Sequence, residues 1–230
     1  MIETIYTIPV NEAFELYSGC PVCSLYKKLE DAELDTILGG AMMEPDVRIE
    51  TNKKGFCGKH YDIMFNMKNR LGLALILESH LSLNILKSLK GGIFGFAKGQ
   101  KLEKQSQSCY ICEKINRSLT KMLENTAYLW EKEKEFREKL SKQPYFCLGH
   151  YADLLGVGAY SLPKRLYQDF ADECKAVMMS YGEKLLGDVT WFTKKFDYNN
   201  ENEPWGDSKD AVERALKFLS GYKNSDTLRK

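Results

Sequence analysis

The chain has 230 residues, of which 43% are hydrophobic and 28% charged, and its 33 basic and 32 acidic residues leave a formal net charge of +1. This balance is typical of a globular protein and excludes a strongly basic nucleic-acid binder or a polyacidic disordered chain as a description of the whole molecule. The longest apolar run, Leu71 to Leu77, is far shorter than the roughly 20 residues that a membrane helix needs. The start of the chain carries glutamates without an early lysine or arginine, which does not resemble a secretory signal. We therefore expect a cytoplasmic protein without a membrane span.

Helical periodicity dominates the first part of the chain. Strand-like patterns are limited to two short stretches, Glu3 to Val10 and Val47 to Thr51. A helix is predicted to start just after Cys23 and to stop at Gly39 and Gly40, with glycine ending it. Its predicted apolar positions are Leu25, Leu29, Ala32 and Leu38. A short helix and a longer one are predicted next, over Tyr61 to Asn69 and Leu71 to Leu89.

The second part of the chain repeats this helical plan. Residues 91–108 contain Gly91, Gly92, Gly95 and Gly99 among lysines, which predicts a mobile connection. The apolar stripe from Ile115 to Leu140 predicts one long helix, or two that abut at Glu133. A long amphipathic helix is predicted from Pro163 to Phe196, and a final helix from Ser208 to Ser220, closed by Gly221.

Most of the cysteines and histidines fall into an ordered pattern. A Cys-x-x-Cys is followed by a Cys-x-x-His, and the same order then recurs with an offset of 89 to 90 residues. The flanks agree as well, since each Cys-x-x-His reads Phe-Cys-x-x-His-Tyr. The sequence therefore contains an internal repeat. Its members are Cys20, Cys23, Cys57 and His60 in the first copy and Cys109, Cys112, Cys147 and His150 in the second.

Three thiolates and one imidazole form a closed tetrahedral ligand set for structural zinc. A cysteine and a histidine three positions apart on a helix lie on one face, so each Cys-x-x-His can chelate one ion. We predict two zinc ions per chain, with each repeat copy supplying all four ligands of its own site. Because a closed site leaves no open coordination position, a zinc hydrolase is disfavoured. No nucleotide-binding, hydrolase or metalloprotease motif points to an enzyme.

Other interpretations explain the cysteine and histidine pattern less well. Disulfides do not suit a reducing compartment, and they would not explain a recurring histidine. A thioredoxin-like dithiol normally lies in a βαβ context that the sequence lacks. Simple packing of buried thiols does not account for eight residues in register. An iron–sulfur cluster with the same ligands remains an alternative to zinc, because ligand softness does not separate the two.

The remaining chemistry-bearing residues favour structural roles. Cys174 lies on a helical stripe with Phe170 and Val177, which predicts a buried core thiol, and His80 lies among leucines as a core or boundary residue. Lysines around the first Cys-x-x-His and between Lys87 and Lys104 could contact nucleic acid, although solvated loops have the same composition. The aromatic segment from Trp191 to Trp205 is interpreted as a helix end that packs on the bundle, with a recognition surface as the alternative.

These motifs together resemble an uncharacterised bacterial protein family of similar size. The resemblance covers nearly the whole chain and rests on three features: the paired Cys-Pro-x-Cys and Phe-Cys-x-x-His motifs, the late segment Phe192-x-x-Lys195-Phe196-Asp197-Tyr198, and Pro204-Trp205-Gly206. In the second copy Tyr110 replaces Pro21, so the two turns need not be identical. The family has no assigned activity, and the resemblance implies a cytosolic zinc-type protein without a known substrate.

The sequence thus predicts an all-α protein, a helical bundle built from two zinc-stapled modules. The predicted divisions are a first module at 1–90, a connection at 91–108, a second module at 109–198 and a C-terminal helix and tail at 199–230, and we expect them to form one compact unit. The predicted function is a zinc-binding interaction or regulatory scaffold with an unidentified protein partner. The alternatives are a redox- or metal-responsive switch that uses the Cys-x-x-Cys pairs, and a nucleic-acid-binding protein.

Overall fold

A computed structural model describes residues 4–90, 99–100, 103–104 and 107–221, and it confirms the all-α class, since these residues form helices and no strand. Most of the predicted connection at 91–108 lies outside the described residues. The α-helices are α1 (Thr7–Glu15), α2 (Pro21–Gly39), α3 (Pro45–Lys54), α4 (Gly58–Asn66), α5 (Arg70–His80), α6 (Leu86–Lys90), α7 (Tyr110–Lys132), α8 (Lys134–Ser141), α9 (Leu148–Ser161), α10 (Lys164–Lys194) and α11 (Ala211–Ser220). A π-helical turn at Leu81–Ile85 joins α5 to α6, and 3-10 turns lie at Thr4–Tyr6, Ala41–Met43, Tyr198–Asn200 and Gly206–Asp210.

Several predicted boundaries are confirmed. Helix α7 ends at Lys132 and α8 begins at Lys134, because Glu133 between them has an extended backbone (φ −118°, ψ 113°). Helix α10 begins directly after Pro163, and α11 is closed by Gly221, whose φ is +64° and whose N–H donates to the Lys217 carbonyl. Helix α2 begins earlier than predicted, at Pro21, because proline suits the first helical position.

Among the described residues both strand-like stretches are helical, so the strand pattern is wrong there. The first comprises the 3-10 turn Thr4–Tyr6 and the start of α1, where Pro9 lies in the first turn, whose N–H groups have no partner within the helix. The second lies in α3, which starts with Pro45 at its first position and buries Thr51. Helix initiation by proline and local burial override the β preference of the branched residues in these stretches.

The apolar face of α2 also differs from the predicted one. Leu25 and Leu38 are buried, as predicted, but Leu29 is only half-buried and Ala32 is exposed. The buried positions of α2 instead recur at intervals of mostly three or four residues, and one of them, Glu30, carries a carboxylate. They are Val22, Leu25, Tyr26, Glu30, Leu34, Ile37 and Leu38.

The chain forms two compact units, residues 28–118 and the remainder, 1–27 with 119–230. Their boundaries fall inside α2 and α7, whereas the predicted modules follow the sequence repeat and divide the chain at 90 and 109. The packing units and the sequence modules therefore do not coincide. No helix in the described part of the chain is long and apolar enough to cross a membrane.

Each unit has an apolar core of its own. In the unit that contains both chain ends, the ring centroid of Phe14 lies 5.0 Å from that of Phe136, and Trp130 packs edge-on against Phe170 at 5.2 Å. The buried Trp130 indole donates to Glu173 at 2.7 Å, so its polar edge is satisfied. The core of unit 28–118 is mainly aliphatic, although Phe56 and Tyr110 are also buried in this unit. Its buried aliphatic side chains and methionine include Leu34, Ile37, Met64, Leu73, Ile76, Ile111 and Ile115.

The aromatic segment after α10 forms a tight turn around one lysine. Lys195 is buried, and its ammonium donates to the carbonyl oxygens of Asn200, Glu201 and Glu203 at 2.5, 2.9 and 2.7 Å. It also lies 5.3 Å from the ring centroid of Trp205, a cation–π distance. These contacts support the predicted helix end with turns, although Phe196 and Tyr198 stay exposed.

We expect Lys195→Met to destabilise the protein by about 1–3 kcal/mol, because three carbonyls lose a charged donor. Thermal unfolding measures this change. Lys194→Met is the matched control, since Lys194 is exposed on the same turn. Equal melting temperatures for the two variants would show that Lys195 does not hold this segment together.

Candidate metal sites

The eight predicted ligands gather into two groups, each with its ligand atoms within 4.8 Å of one another. We call Cys20, Cys23, Cys147 and His150 site A, and Cys57, His60, Cys109 and Cys112 site B. The predicted pairing within each repeat copy is therefore wrong. Each site combines the Cys-x-x-Cys of one copy with the Cys-x-x-His of the other, and each lies within a single compact unit.

Site A is assembled at the start of two helices. Cys20 precedes α2 and accepts, through its carbonyl, a hydrogen bond from the Cys23 N–H at 3.1 Å. Cys147 caps α9, whose first turn carries His150. The Nδ1 atom of His150 lies 3.2 Å from Cys147 Sγ, 3.3 Å from Cys23 Sγ and 3.7 Å from Cys20 Sγ.

Gly221 covers site A at the end of α11. A Cβ atom at this position would lie 2.6 Å from Cys147 Sγ and 3.6 Å from Cys23 Sγ. Its positive φ of 64° is also one that only glycine adopts easily. The close approach of backbone to sulfur explains why a glycine ends α11.

Site B is also built at two helix starts. Cys57 caps α4, whose first turn carries His60, and Cys109 and Cys112 flank the start of α7. The Nδ1 atom of His60 lies 3.2 Å from Cys57 Sγ, 3.2 Å from Cys109 Sγ and 3.5 Å from Cys112 Sγ. The two helix starts therefore bring three sulfurs around one ring nitrogen.

Contacts between the two segments hold site B together beyond its ligands. The Tyr110 N–H donates to the Gly55 carbonyl at 2.9 Å, and Lys54 forms an ion pair with Glu113 at 2.7 Å. Gly55 has a φ of +63°, and a Cβ there would lie 3.0 Å from the His80 ring. The chain before Cys57 thus requires a glycine and docks directly on the start of α7.

These distances fit a tetrahedral metal ion. Zn–S bonds of about 2.3 Å and Zn–N bonds of about 2.0 Å place two sulfurs about 3.8 Å apart, and a sulfur and a nitrogen about 3.5 Å apart. The sulfur pairs Cys23–Cys147 and Cys57–Cys112 are separated by 3.6 and 3.8 Å. Four protein donors would fill the coordination sphere of such an ion, and the helix N-termini add positive potential beside the thiols.

The electrostatics of the metal-free groups point the same way. Hydrogen bonds from Cys109, Cys112 and His60 strongly lower the pKa of the Cys57 thiol, and those from Cys20, Cys23 and His150 do the same at Cys147. Burial lowers the pKa of His60, but the neighbouring thiols and Glu30 outweigh it and raise the pKa to about 11. At His150 the thiols likewise outweigh burial and raise the pKa to about 9. Burial raises the pKa of the Cys20 thiol, and hydrogen bonds from Cys109 and Cys57 raise that of Cys112. One thiol of each group, Cys147 or Cys57, therefore favours the thiolate, the form that binds a metal ion.

Sequence reasoning missed Glu30, which is fully buried in α2. Its Oε1 atom lies 3.2 Å from His60 Nε2 and 2.9 Å from Lys59 Nζ. Burial raises the pKa of this carboxyl, but the hydrogen bonds from His60 and Lys59 outweigh it and leave the pKa below its ordinary value. The sequence did contain a signal for it. Glu30 is a charged residue in a four-residue stripe that otherwise consists of the apolar or aromatic Val22, Tyr26 and Leu34.

The two residues outside the repeat behave as predicted. Cys174 is fully buried and belongs to neither site. His80 is buried, and its Nδ1 atom lies 2.8 Å from the Asn52 carbonyl oxygen, so it contacts the backbone of α3 and belongs to neither site. Both are structural residues in this fold.

The chain belongs to a family of unknown function, DUF6062, whose model matches residues 1–226. This agrees with the resemblance to an uncharacterised family that the motifs indicated. Comparisons with curated proteins and with solved structures gave no significant match. The family membership covers the whole fold but names no ligand or activity.

The crossed pairing can be tested with two double variants. Cys23→Ala/Cys147→Ala removes two ligands of site A and leaves site B complete, so we expect one tightly held zinc ion. Cys23→Ala/Cys57→Ala leaves three ligands at each site, so we expect no ion to survive competition with a chelator. Zinc per chain is measured by mass spectrometry after gel filtration.

Cys174→Ala is the matched control, because it removes a buried thiol that belongs to neither site. It should keep the metal content of the parent chain. One retained ion in Cys23→Ala/Cys57→Ala and none in Cys23→Ala/Cys147→Ala would instead support pairing within each repeat copy.

Proposed function

We propose that this chain is a zinc protein in which sites A and B are closed structural sites, and that it acts as an interaction or regulatory scaffold. The observation that carries the proposal is the convergence of three thiols on each histidine Nδ1 atom, within 3.7 Å in both sites. Four protein ligands are typical of structural zinc, whereas catalytic sites keep a position for water. Iron with the same ligands is the alternative metal.

The role of the metal would be to join segments that are distant in sequence. Site A brings together residues 124 positions apart, and site B residues 49 positions apart. Closing such loops reduces the conformational freedom of the unfolded chain, and the benefit grows slowly with loop length. The two ions would therefore fix the starts of α2 and α9 at site A, and of α4 and α7 at site B.

A scaffold role is favoured because a closed site has no coordination position for water or a substrate. With no open coordination position, zinc here would shape the surface rather than react with a substrate. The nucleic-acid alternative has less support near site B, because Lys54 pairs with Glu50 and Glu113 while Lys59 pairs with Glu30. A protein partner is thus the occupant that we favour for the exposed surface.

We expect the protein, purified without chelator or affinity metal, to contain two zinc ions per chain by elemental analysis. Free zinc at a thousand times the dissociation constant stabilises a folded protein by about 4 kcal/mol, which corresponds to about 8–16 °C in melting temperature for a chain of this size. Removal of the metal should lower the melting temperature by this order. A metal-free protein with an unchanged melting temperature on zinc addition would refute the proposal.

A redox-responsive switch is a second candidate, favoured by the partial exposure of Cys23, Cys57 and Cys112. Oxidation of a metal-bound thiolate would release the ion and loosen the joined helix starts. Under mild peroxide the switch predicts zinc release that a reductant reverses, followed with a chromophoric chelator. Full metal retention at peroxide concentrations that oxidise exposed thiols would count against it.

A further inference from the structure

Glu30 differs from the other buried residues of α2 in carrying a charge. It is fully buried in a stripe whose other members are apolar or aromatic. Burying a carboxylate is costly unless it is paired, and here both partners come from one short segment, Lys59 and His60. A carboxylate at this position is therefore tied to the segment that carries the site B ligands.

The geometry gives the carboxylate a specific role. His60 has its Nδ1 atom among three sulfurs and its Nε2 atom 3.2 Å from Glu30 Oε1. A neutral imidazole that binds a metal through Nδ1 carries its proton on Nε2 and donates it to the carboxylate. A hydrogen bond from Nε2–H to Glu30 would therefore fix the tautomer and the ring orientation in which Nδ1 faces the three sulfurs. Lys59, at 2.9 Å, balances the charge of Glu30.

Site A has no such group in the described part of the chain. The repeat offset of 89 residues places Leu119 at the position that matches Glu30, and Leu119 is buried. His150 is also buried, and its Nδ1 atom lies within 3.7 Å of three sulfurs. The residue that corresponds to Glu30 in this copy of the repeat is therefore apolar. The two sites therefore share their ligands and differ in what supports the histidine.

We propose that Glu30 is a positioning residue for His60 and that it makes site B retain its metal ion more firmly than site A. The inference rests on the proposed metal sites and assigns them unequal roles. Site B would be the permanent site, and site A the one from which the ion leaves first. Carboxylates that accept a hydrogen bond from a metal-binding histidine commonly change metal affinity by about 10–100-fold.

The test measures zinc transfer from the full-length chain to a chromophoric chelator. In the Cys23→Ala/Cys147→Ala background only site B is complete, and Glu30→Gln should speed zinc release by about 10–100-fold. In the Cys57→Ala/Cys109→Ala background only site A is complete, and Glu30→Gln should leave the release rate unchanged. The unmodified chain should release its two ions in two phases, the slower one from site B.

Two further variants separate positioning from general stability. Asp35→Asn removes an exposed carboxylate from the same helix and should change nothing. Lys59→Met removes the ion pair but keeps the contact between Glu30 and His60, so its effect on release should be smaller than that of Glu30→Gln. Cobalt substitution adds a spectroscopic readout, because the absorption bands of the site B ion should shift in Glu30→Gln alone.

The outcomes distinguish the inference from the proposed function. If the unmodified chain binds no zinc, the metal sites themselves are refuted. If it binds two ions and Glu30→Gln releases the site B ion at the parent rate, only the role of Glu30 is refuted. Equal acceleration at both sites would also overturn the inference, since it would reflect a loss of overall stability.

Discussion

Each site forms where the N-termini of two helices meet. The chain between them must follow a path that brings these helix starts together. A helix start offers a partial positive charge, and a ligand pair three residues apart lies on one face of its first turn. At site A the starts of α2 and α9 converge, and at site B those of α4 and α7. Thiolates are stabilised at such positions, so the same backbone geometry that presents the ligands also favours their metal-binding form.

The two sites use the same ligands in different surroundings. Site A is covered by the backbone of Gly221, beside a group of rings in which Tyr145 stacks on Tyr181 at 4.4 Å and meets Phe218 at 5.8 Å. Site B is surrounded by charges, with Glu30 and Lys59 on the histidine side and the Lys54–Glu113 ion pair where the two helix starts meet. Apolar cover excludes water, whereas a paired carboxylate fixes the direction of the histidine ring. Equal donor sets therefore need not give equal metal sites.

The sequence was sufficient for the all-α class and for the Cys-x-x-Cys and Cys-x-x-His pairs, because both depend on local spacing. Periodicity marked the break at Glu133 and the long helix after Pro163, and the recurrence of cysteine and histidine marked the eight residues that gather at sites A and B. Which Cys-x-x-Cys meets which Cys-x-x-His depends instead on how the long helices between them pack. Helix α2 has 19 residues and extends about 28 Å, so sequence proximity does not decide which Cys-x-x-His meets Cys23. The docking of Gly55 on Tyr110, a backbone contact without a sequence signature, brings Cys57 to the second Cys-x-x-Cys. Glu30 escaped detection because its importance comes from a contact with His60, thirty residues away.

A chain of this size does not need metal for want of apolar core, since each unit already buries its own aromatic or aliphatic residues. A metal ion would instead change the free energy of burying the polar groups at the edge of each core. Three thiols, an imidazole and, at site B, a carboxylate with its lysine are held close together, and taking these polar groups out of water opposes folding. An ion reverses the balance, because the same groups become its ligands and their supports. Metal binding would therefore act on the choice among conformations more than on the presence of a folded core, which is the behaviour that a regulatory scaffold requires.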